Sequence, residues 1–334
     1  MTPLRGERMN PSNPRHAPVL FEETMDLLRV RPGSTVVDCT LGLAGHASGI
    51  VRLLGAEGHL IGFEWDAEAM ELAKAKLDQV CGELGGDAPR VTLVDEAYSS
   101  IASHLPPASV DGLIADFGVS SLQLDEARRG FSFMADGPLD MRHNQRSELT
   151  AAQVVNEANE SELADLIYKY GEERRSRRIA RAVVHGRPIT TTGQLARIVT
   201  SAAHITKHEK IHPATRTFQA LRIYVNRELD EICALLEAAP MLLKPSARLV
   251  VISFHSLEDR IAKDSLREGA RRGIWEILTK KPVIAGEDEL ERNPRSRSAK
   301  LRAAERQGSG VRDQGSGNKE QRTSNKGSES RGRN

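Results

Sequence analysis

The residues with chemistry to offer stand at the ends of apolar runs. Val36-Val37 leads into Asp38, and a turn of small residues, Thr40-Leu41-Gly42-Leu43-Ala44-Gly45-His46, opens onto a helical pattern. His59 to Glu64 is a second run ending in a carboxylate, and Gly112 to Asp116 is a third. In an open α/β sheet the carboxyl ends of the strands face a crevice, and backbone amides at the next helix start can contact a ligand there. The glycine pattern falls short of G-x-G-x-x-G: Gly42 and Gly45 stand near the required places with Ala44 between them. For a lone glycine pair, a plain tight turn is the better account.

Two carboxylates shift the balance toward a ligand. Asp38 would repel a pyrophosphate but suits a cation. Glu64, at the end of the second run, is placed to accept both hydroxyls of a ribose. A ligand with a ribose, an amino group and no phosphates meets these conditions better than a dinucleotide, and S-adenosylmethionine is such a cofactor. Asp116, followed by Phe117-Gly118-Val119-Ser120-Ser121, points at the same crevice, although an Asp there also serves as a helix cap. A methyl acceptor must lie in line with the methyl and its sulfonium, so a group that bonds the acceptor supplies positioning. For an exocyclic amine, a carboxylate accepting its N–H orients the nitrogen and raises its electron density. We expect Asp116 to do this. His255, in Ser253-Phe254-His255-Ser256, lacks a G-x-S-x-G elbow and argues against a nucleophilic serine. His46, His204, His208 and His212 are too dispersed, and lack partners at ligand spacing, to predict a metal site.

The elements that must hold these groups follow from periodicity. After a short helix, Glu22 to Leu28, four strands alternate with helical segments between Val36 and Asp116, which predicts a doubly wound parallel sheet. Gly130 to Arg142 has neither period and reads as a structured loop. Three helical patterns follow: one with Leu163, Leu166, Ile167 and Tyr170 on a face, one spanning Glu172 to Val184, and one with Leu195, Ile198, Val199 and Ala202. A long helix from Ala214 would set Phe218, Leu221, Val225, Leu229, Ile232 and Leu236 on one stripe. Strands at Arg248 to Phe254, Trp275 to Thr279 and Ala299 to Arg306 complete the sheet. The expected division is a disordered leader, 1–15; a core in two parts, 16–121 and 212–306; a helical insertion, 122–211; and a disordered basic tail, 307–334.

Charge and composition bound the rest. Lys plus Arg number 47 against 46 Asp plus Glu, so net charge predicts no partner and local clusters must. Arg174, Arg175, Arg177, Arg178 and Arg181 crowd one helical segment of the insertion. A solvated face is the default for such a run. A second basic cluster, Arg292 to Arg306, makes phosphate contact an equal expectation. Three separated cysteines, no apolar leader and no long apolar run point to a soluble protein of a reducing cytoplasm, with no membrane partner.

Several long stretches together resemble one family. They are Asp38 to His46, Asp116 to Asp125, Arg129 to Met134, Asp136 to Arg142, His212 to Ala220, Ile252 to Arg260 and Asn293 to Arg302, collinear from about His16 to Arg306. The family is the ribosomal RNA small subunit methyltransferase H (RsmH, or MraW) family. The resemblance implies a Rossmann-like α/β methyltransferase with a helical insertion over its site, in the bacterial cytoplasm. It further implies S-adenosylmethionine as cofactor and N4 of a cytidine in the 16S rRNA decoding region as target, so that small-subunit rRNA or the small subunit itself is the partner. On this basis the cofactor contacts are Ala44, Gly45, His46, Glu64, Tyr98, Asp116 and Gln123. Ala44 stands where the family has Gly, adding a methyl where backbone approaches the ligand. Glu64 stands for the usual Asp, one methylene longer, and Tyr98 for a frequent Phe.

Overall fold

The computed structural model describes residues 18–203 and 211–308. The expected disordered leader and nearly all of the expected tail lie outside these residues, as do His204 and His208. The strands are β1 (Thr35–Asp38), β2 (His59–Phe63), β3 (Arg90–Val94), β4 (Val110–Asp116), β5 (Leu243–Ser253), β6 (Trp275–Ile277) and β7 (Lys300–Arg306). Among the described residues they form one sheet in the order β3-β2-β1-β4-β5-β7-β6. The first five strands pair in parallel, as alternation with helices requires. β7 enters antiparallel between β5 and β6 and closes that edge. Gln307 still donates from its backbone to Ile274 O at 2.9 Å, so the sheet holds one residue of the stretch assigned to the tail.

The helices in chain order are α1 (Phe21–Leu28), α2 (Gly45–Leu54), α3 (Ala67–Leu84), α4 (Ile101–His104), α5 (Ser121–Asp125), α6 (Ala151–Glu157) and α7 (Glu160–Gly171). They continue with α8 (Ser176–His185), α9 (Thr192–Ala203), α10 (Ala214–Asn226), α11 (Glu228–Leu242), α12 (Ser256–Arg271) and α13 (Glu287–Arg292). Successive strand residues point to opposite layers. Val36, Ile114 and Val250 pack with α1, α2 and α3 through Leu28, Ile50, Leu54 and Leu77. Val37, Leu113, Ala115 and Val251 pack with Ile232 and Leu236 of α11 and Leu266 of α12. Burial on both faces is why these strands read as unbroken apolar runs. No helix of the described residues is long and apolar enough to cross a membrane.

A third apolar cluster lies outside the sheet. Val154, Leu163, Ile167, Ile179, Val183, Leu195 and Val199 build it from α6 to α9. Phe218, Leu221 and Val225 of α10 belong to the same cluster, so it extends past the expected end of the insertion at Ile211. The single long helix expected from Ala214 is two helices. Arg227 takes a left-handed conformation, φ 52°, and breaks it. Asn226 makes the break: its amide donates to Met141 O at 2.7 Å and Arg222 O at 2.9 Å, and accepts from His143 N at 2.7 Å. Beyond it Ile232, Leu235 and Leu236 turn to the sheet. One stripe could not serve both cores.

The helix expected from Glu172 begins at Ser176, because Glu172 is left-handed (φ 50°) and ends α7. Arg174 therefore lies in a turn rather than on a face shared with Arg178 and Arg181. The aperiodic loop is rigid for a stated reason. Gly130, at φ +73°, and Gly137 pass so close to the backbone of Pro138 and Ala127 that a Cβ would overlap it. Arg129, 1% exposed, threads beneath the loop, donating to the carbonyls of Arg142 and His143, each at 3.0 Å. Its guanidinium also meets Asp66 at 2.7 Å, both groups buried.

The turn after β1 is fixed by equally local bonds. Ala44 is left-handed at φ 55° and 0% exposed, and its N–H donates to Leu41 O at 2.7 Å. It belongs to the same buried apolar cluster as Ala47, Val51 and Leu60. Replacing Ala44 by Gly removes left-handed strain of about 1–2 kcal/mol and loses a buried methyl of about 0.8 kcal/mol. We predict a stability within ~1 kcal/mol of the parent by urea unfolding, a value that a ligand-facing methyl does not require. Arg129→Ala strands Asp66 and should cost about 3–5 kcal/mol, read as a large drop in melting temperature. Arg129→Met should be milder if packing rather than pairing is what the loop needs.

Candidate active site

Three carboxylates come together above the sheet. Asp38 ends β1, Glu64 follows β2 and Asp116 ends β4. The register pairs Asp38 with Gly62 and with Ile114, so Glu64 and Asp116 stand two residues further up on either side. Asp38 Oδ1 accepts the Thr40 N–H at 3.1 Å, and the Thr40 hydroxyl accepts the Asp116 N–H at 2.6 Å. Burial pushes the Asp38 carboxyl up to about 7, against the pull of the Thr40 bond. Asp116 is raised well above the usual range by burial first, then by Asp38 and Glu258. Its Oδ1 is buried with no hydrogen-bond partner among the described residues. Such an atom is costly unless something donates to it.

Glu64 is tied into the turn. Its Oε2 accepts the Gly42 N–H at 2.9 Å, and Oε1 accepts those of Trp65 at 3.0 Å and Asp66 at 2.9 Å. The extra methylene over Asp is what lets it span from the end of β2 to Gly42. Burial still carries its carboxyl to about 7 despite these three bonds. One of its roughly four acceptor sites is left for a further donor.

The other expected site residues divide. Ala44 and Gly45 start α2, whose first amides lack intrahelical partners. His46 is held between two groups: its Nε2 contacts Val19 O at 3.0 Å, which places the proton there and leaves Nδ1 as an acceptor 3.9 Å from Asp116 Oδ2. Burial lowers His46 to about 4, so this contact is no ion pair at neutral pH. Tyr98 follows β3, with its ring centroid 6.4 Å from that of Phe117 at the end of β4. Gln123 is beside the crevice but its amide is committed, donating to Asp66 Oδ2 at 2.9 Å and accepting from Ser120 N at 3.0 Å.

A neighbouring polar cluster escaped the sequence reading apart from His255. Arg222 donates to both oxygens of Glu228, at 2.8 and 2.9 Å, and His143 Nε2 lies 3.4 Å from the same carboxylate. Arg222 and His143 hold Glu228 down to about 2, overcoming its burial. Glu258, fully buried, accepts the N–H groups of Phe254 at 2.7 Å and His255 at 3.1 Å and so starts α12. Ligand atoms of Glu228, His255 and Glu258 lie within 4.8 Å of one another, a spacing at which a cation could be held. Arg222 already supplies a positive charge there. The serine-dense motif around His255 was thus a capping box, Glu258 at its third position, and that spacing was visible in the sequence.

The geometry is that of an open, mostly parallel α/β sheet with an acidic crevice at its strand ends. The chain matches the model of the MraW methylase family over residues 13–307. It is 65% identical over 88% of its length to "Ribosomal RNA small subunit methyltransferase H" of Acidobacterium capsulatum, of which 99% is covered. The protein of the same name from Koribacter versatilis is 56% identical, with 87% of this chain and 94% of that one aligned. For that of Sorangium cellulosum the identity is 49%, with 89% and 93% aligned. The chain belongs to the MraW methylase family.

Proposed function

We propose that this chain transfers a methyl group from S-adenosylmethionine to the N4 amine of a cytidine in the decoding region of small-subunit rRNA. The observation that carries the chemistry is Asp116: a part-buried carboxylate at a strand end, next to Asp38, with one buried oxygen that nothing among the described residues satisfies. The rRNA substrate comes from the printed names of the relatives. The N4 atom, the cytidine and the decoding region come from the resemblance of the motifs to RsmH.

The residues fit the cofactor. A sulfonium supplies the electrophilic methyl, and it is a cation. Asp38 and Asp116 supply the negative field, in a buried crevice where such attraction is strong. Glu64 offers its remaining acceptor site to a ribose hydroxyl, and the amides at the start of α2 suit a carboxylate. Tyr98 walls the crevice from the side of β3. Asp116 Oδ1 accepts an N–H of the target amine, aligning its lone pair with the methyl. Methyl transfer to the nitrogen would break the methyl–sulfur bond and leave a neutral thioether, and the proton the nitrogen must then shed would pass along its hydrogen bond to Asp116, or to water. The target base sits in folded RNA and must be splayed out to reach this depth. The helical unit from α6 through α10 stands on the substrate side, and the setting is the cytoplasm, where ribosomes are.

Labelled S-adenosylmethionine incubated with small subunits, free rRNA or DNA tests this reading. We expect N4-methylcytidine from the rRNA substrates by nucleoside mass spectrometry. Label on DNA alone, or on another atom, contradicts it. For Asp116→Asn, kcat should fall about 10²-fold or more. Burial first, and then its like-charged neighbours, make the ionised carboxyl costly at neutral pH, so the same substitution should raise the melting temperature. An active Asp116→Asn enzyme removes the positioning role.

A further inference from the structure

Most arginines near the core are already committed. Arg129 and Arg142 reach carboxylates at 2.7 Å, and Arg222 and Arg302 at 2.8 Å. The face built by α7, the turn after it and α8 differs. Arg174, Arg177 and Arg178 are exposed there and make no ion pair among the described residues. Arg181, expected on the same face, turns aside to Glu160 at 3.3 Å.

Two open hollows of about 690 and 660 Å³ lie on this face. Both are lined by Tyr168 and Arg174, so they join into one groove. The first runs toward Arg216 of α10 and Arg260 of α12, the second along Arg177 and Arg178. Together seven basic side chains line them against two acidic ones, Glu172 and Asp165. Glu172 meets Arg260 at 2.9 Å and Glu173 meets Arg216 at 3.6 Å. These carboxylates hold the two guanidiniums in place at the groove edge, where a phosphate would compete for them. Tyr168, at the junction, is 62% exposed. An aromatic ring open to water in the middle of a basic groove has a ready partner in an unstacked base.

We propose that this groove is the track of a single RNA strand, with phosphates on Arg174, Arg177 and Arg178 and a base stacked on Tyr168. The proposal rests on RNA being the substrate. A single strand is favoured because stacking on a side chain requires an exposed base face, which a duplex hides. The groove also spans α8, α10 and α12, so a strand in it bridges the helical unit to the sheet that carries Asp116.

Fluorescence anisotropy of the full chain with a labelled single-stranded oligoribonucleotide, and with a duplex of equal length, tests it. Arg174→Ala with Arg178→Ala should weaken single-strand binding about tenfold and lower the salt slope by about 1.4, two contacts' worth. Tyr168→Ala should cost about tenfold and Tyr168→Phe almost nothing, as stacking without a hydroxyl role requires. S-adenosylmethionine affinity, unchanged in each variant, reports that the fold is intact. Unchanged RNA affinity and slope in the arginine variant overturn the track. Tighter binding of the duplex, with Tyr168→Ala neutral, overturns the single-strand assignment. Methylation by the parent enzyme separates the two readings. RNA bound through this groove with no rRNA methylated sinks the proposed function and leaves the track. Methylation with a kcat/KM unaltered by the arginine variant sinks the track alone.

Discussion

The structure depends on an unbalanced charge. Burial raises Asp38 and Glu64 to about 7 and Asp116 well above the usual carboxylate range, and no Lys or Arg of the described residues is paired with them. Buried carboxylates elsewhere in the chain are treated differently. Asp66 has Arg129, Glu228 has Arg222 and Asp259 has Arg302. Unpaired acids perturbed by burial and gathered in one crevice are the kind of group that ligand sites carry, and that contrast is what makes this crevice the candidate site.

Everything near the crevice serves to hold those acids still. The parallel register puts them at neighbouring heights, and Thr40 and Gly42 knit the turn to Asp116 and Glu64. Arg129 fastens the loop that follows α5 beneath His143, and Asn226 fastens that loop to the joint between α10 and α11. The apolar core of the helical unit and that of the sheet therefore meet at a polar seam.

Much of this was readable from residues alone. Strands buried on both faces announce themselves as apolar runs ending in a carboxylate, and Asp38, Glu64 and Asp116 were found that way. Boundaries were not. The break at Arg227 is invisible to periodicity because apolar spacing continues across it while the partner core changes. The helix α6 carried a capping box, Thr150 to Gln153, yet at seven residues it was too short to show a period. Glu172 gave no sign of its left-handed turn, since only packing of α7 against α10 demands it. For Ala44 the residue type alone could not show that it is fully buried. Gln123 was expected at the cofactor; its bond to Asp66 depends on a fold no local pattern encodes.

The central claim, that the unpaired acids await a cation, has a direct test in calorimetry of S-adenosylmethionine against S-adenosylhomocysteine across pH in buffers of different ionisation enthalpy. Carboxyls raised to about 7 are largely protonated at pH 6 and must release protons to face a sulfonium. The account predicts that affinity for S-adenosylmethionine rises from pH 6 to pH 8, with proton release that is smaller for the uncharged thioether. Equal pH profiles and equal proton release for the two ligands would contradict it.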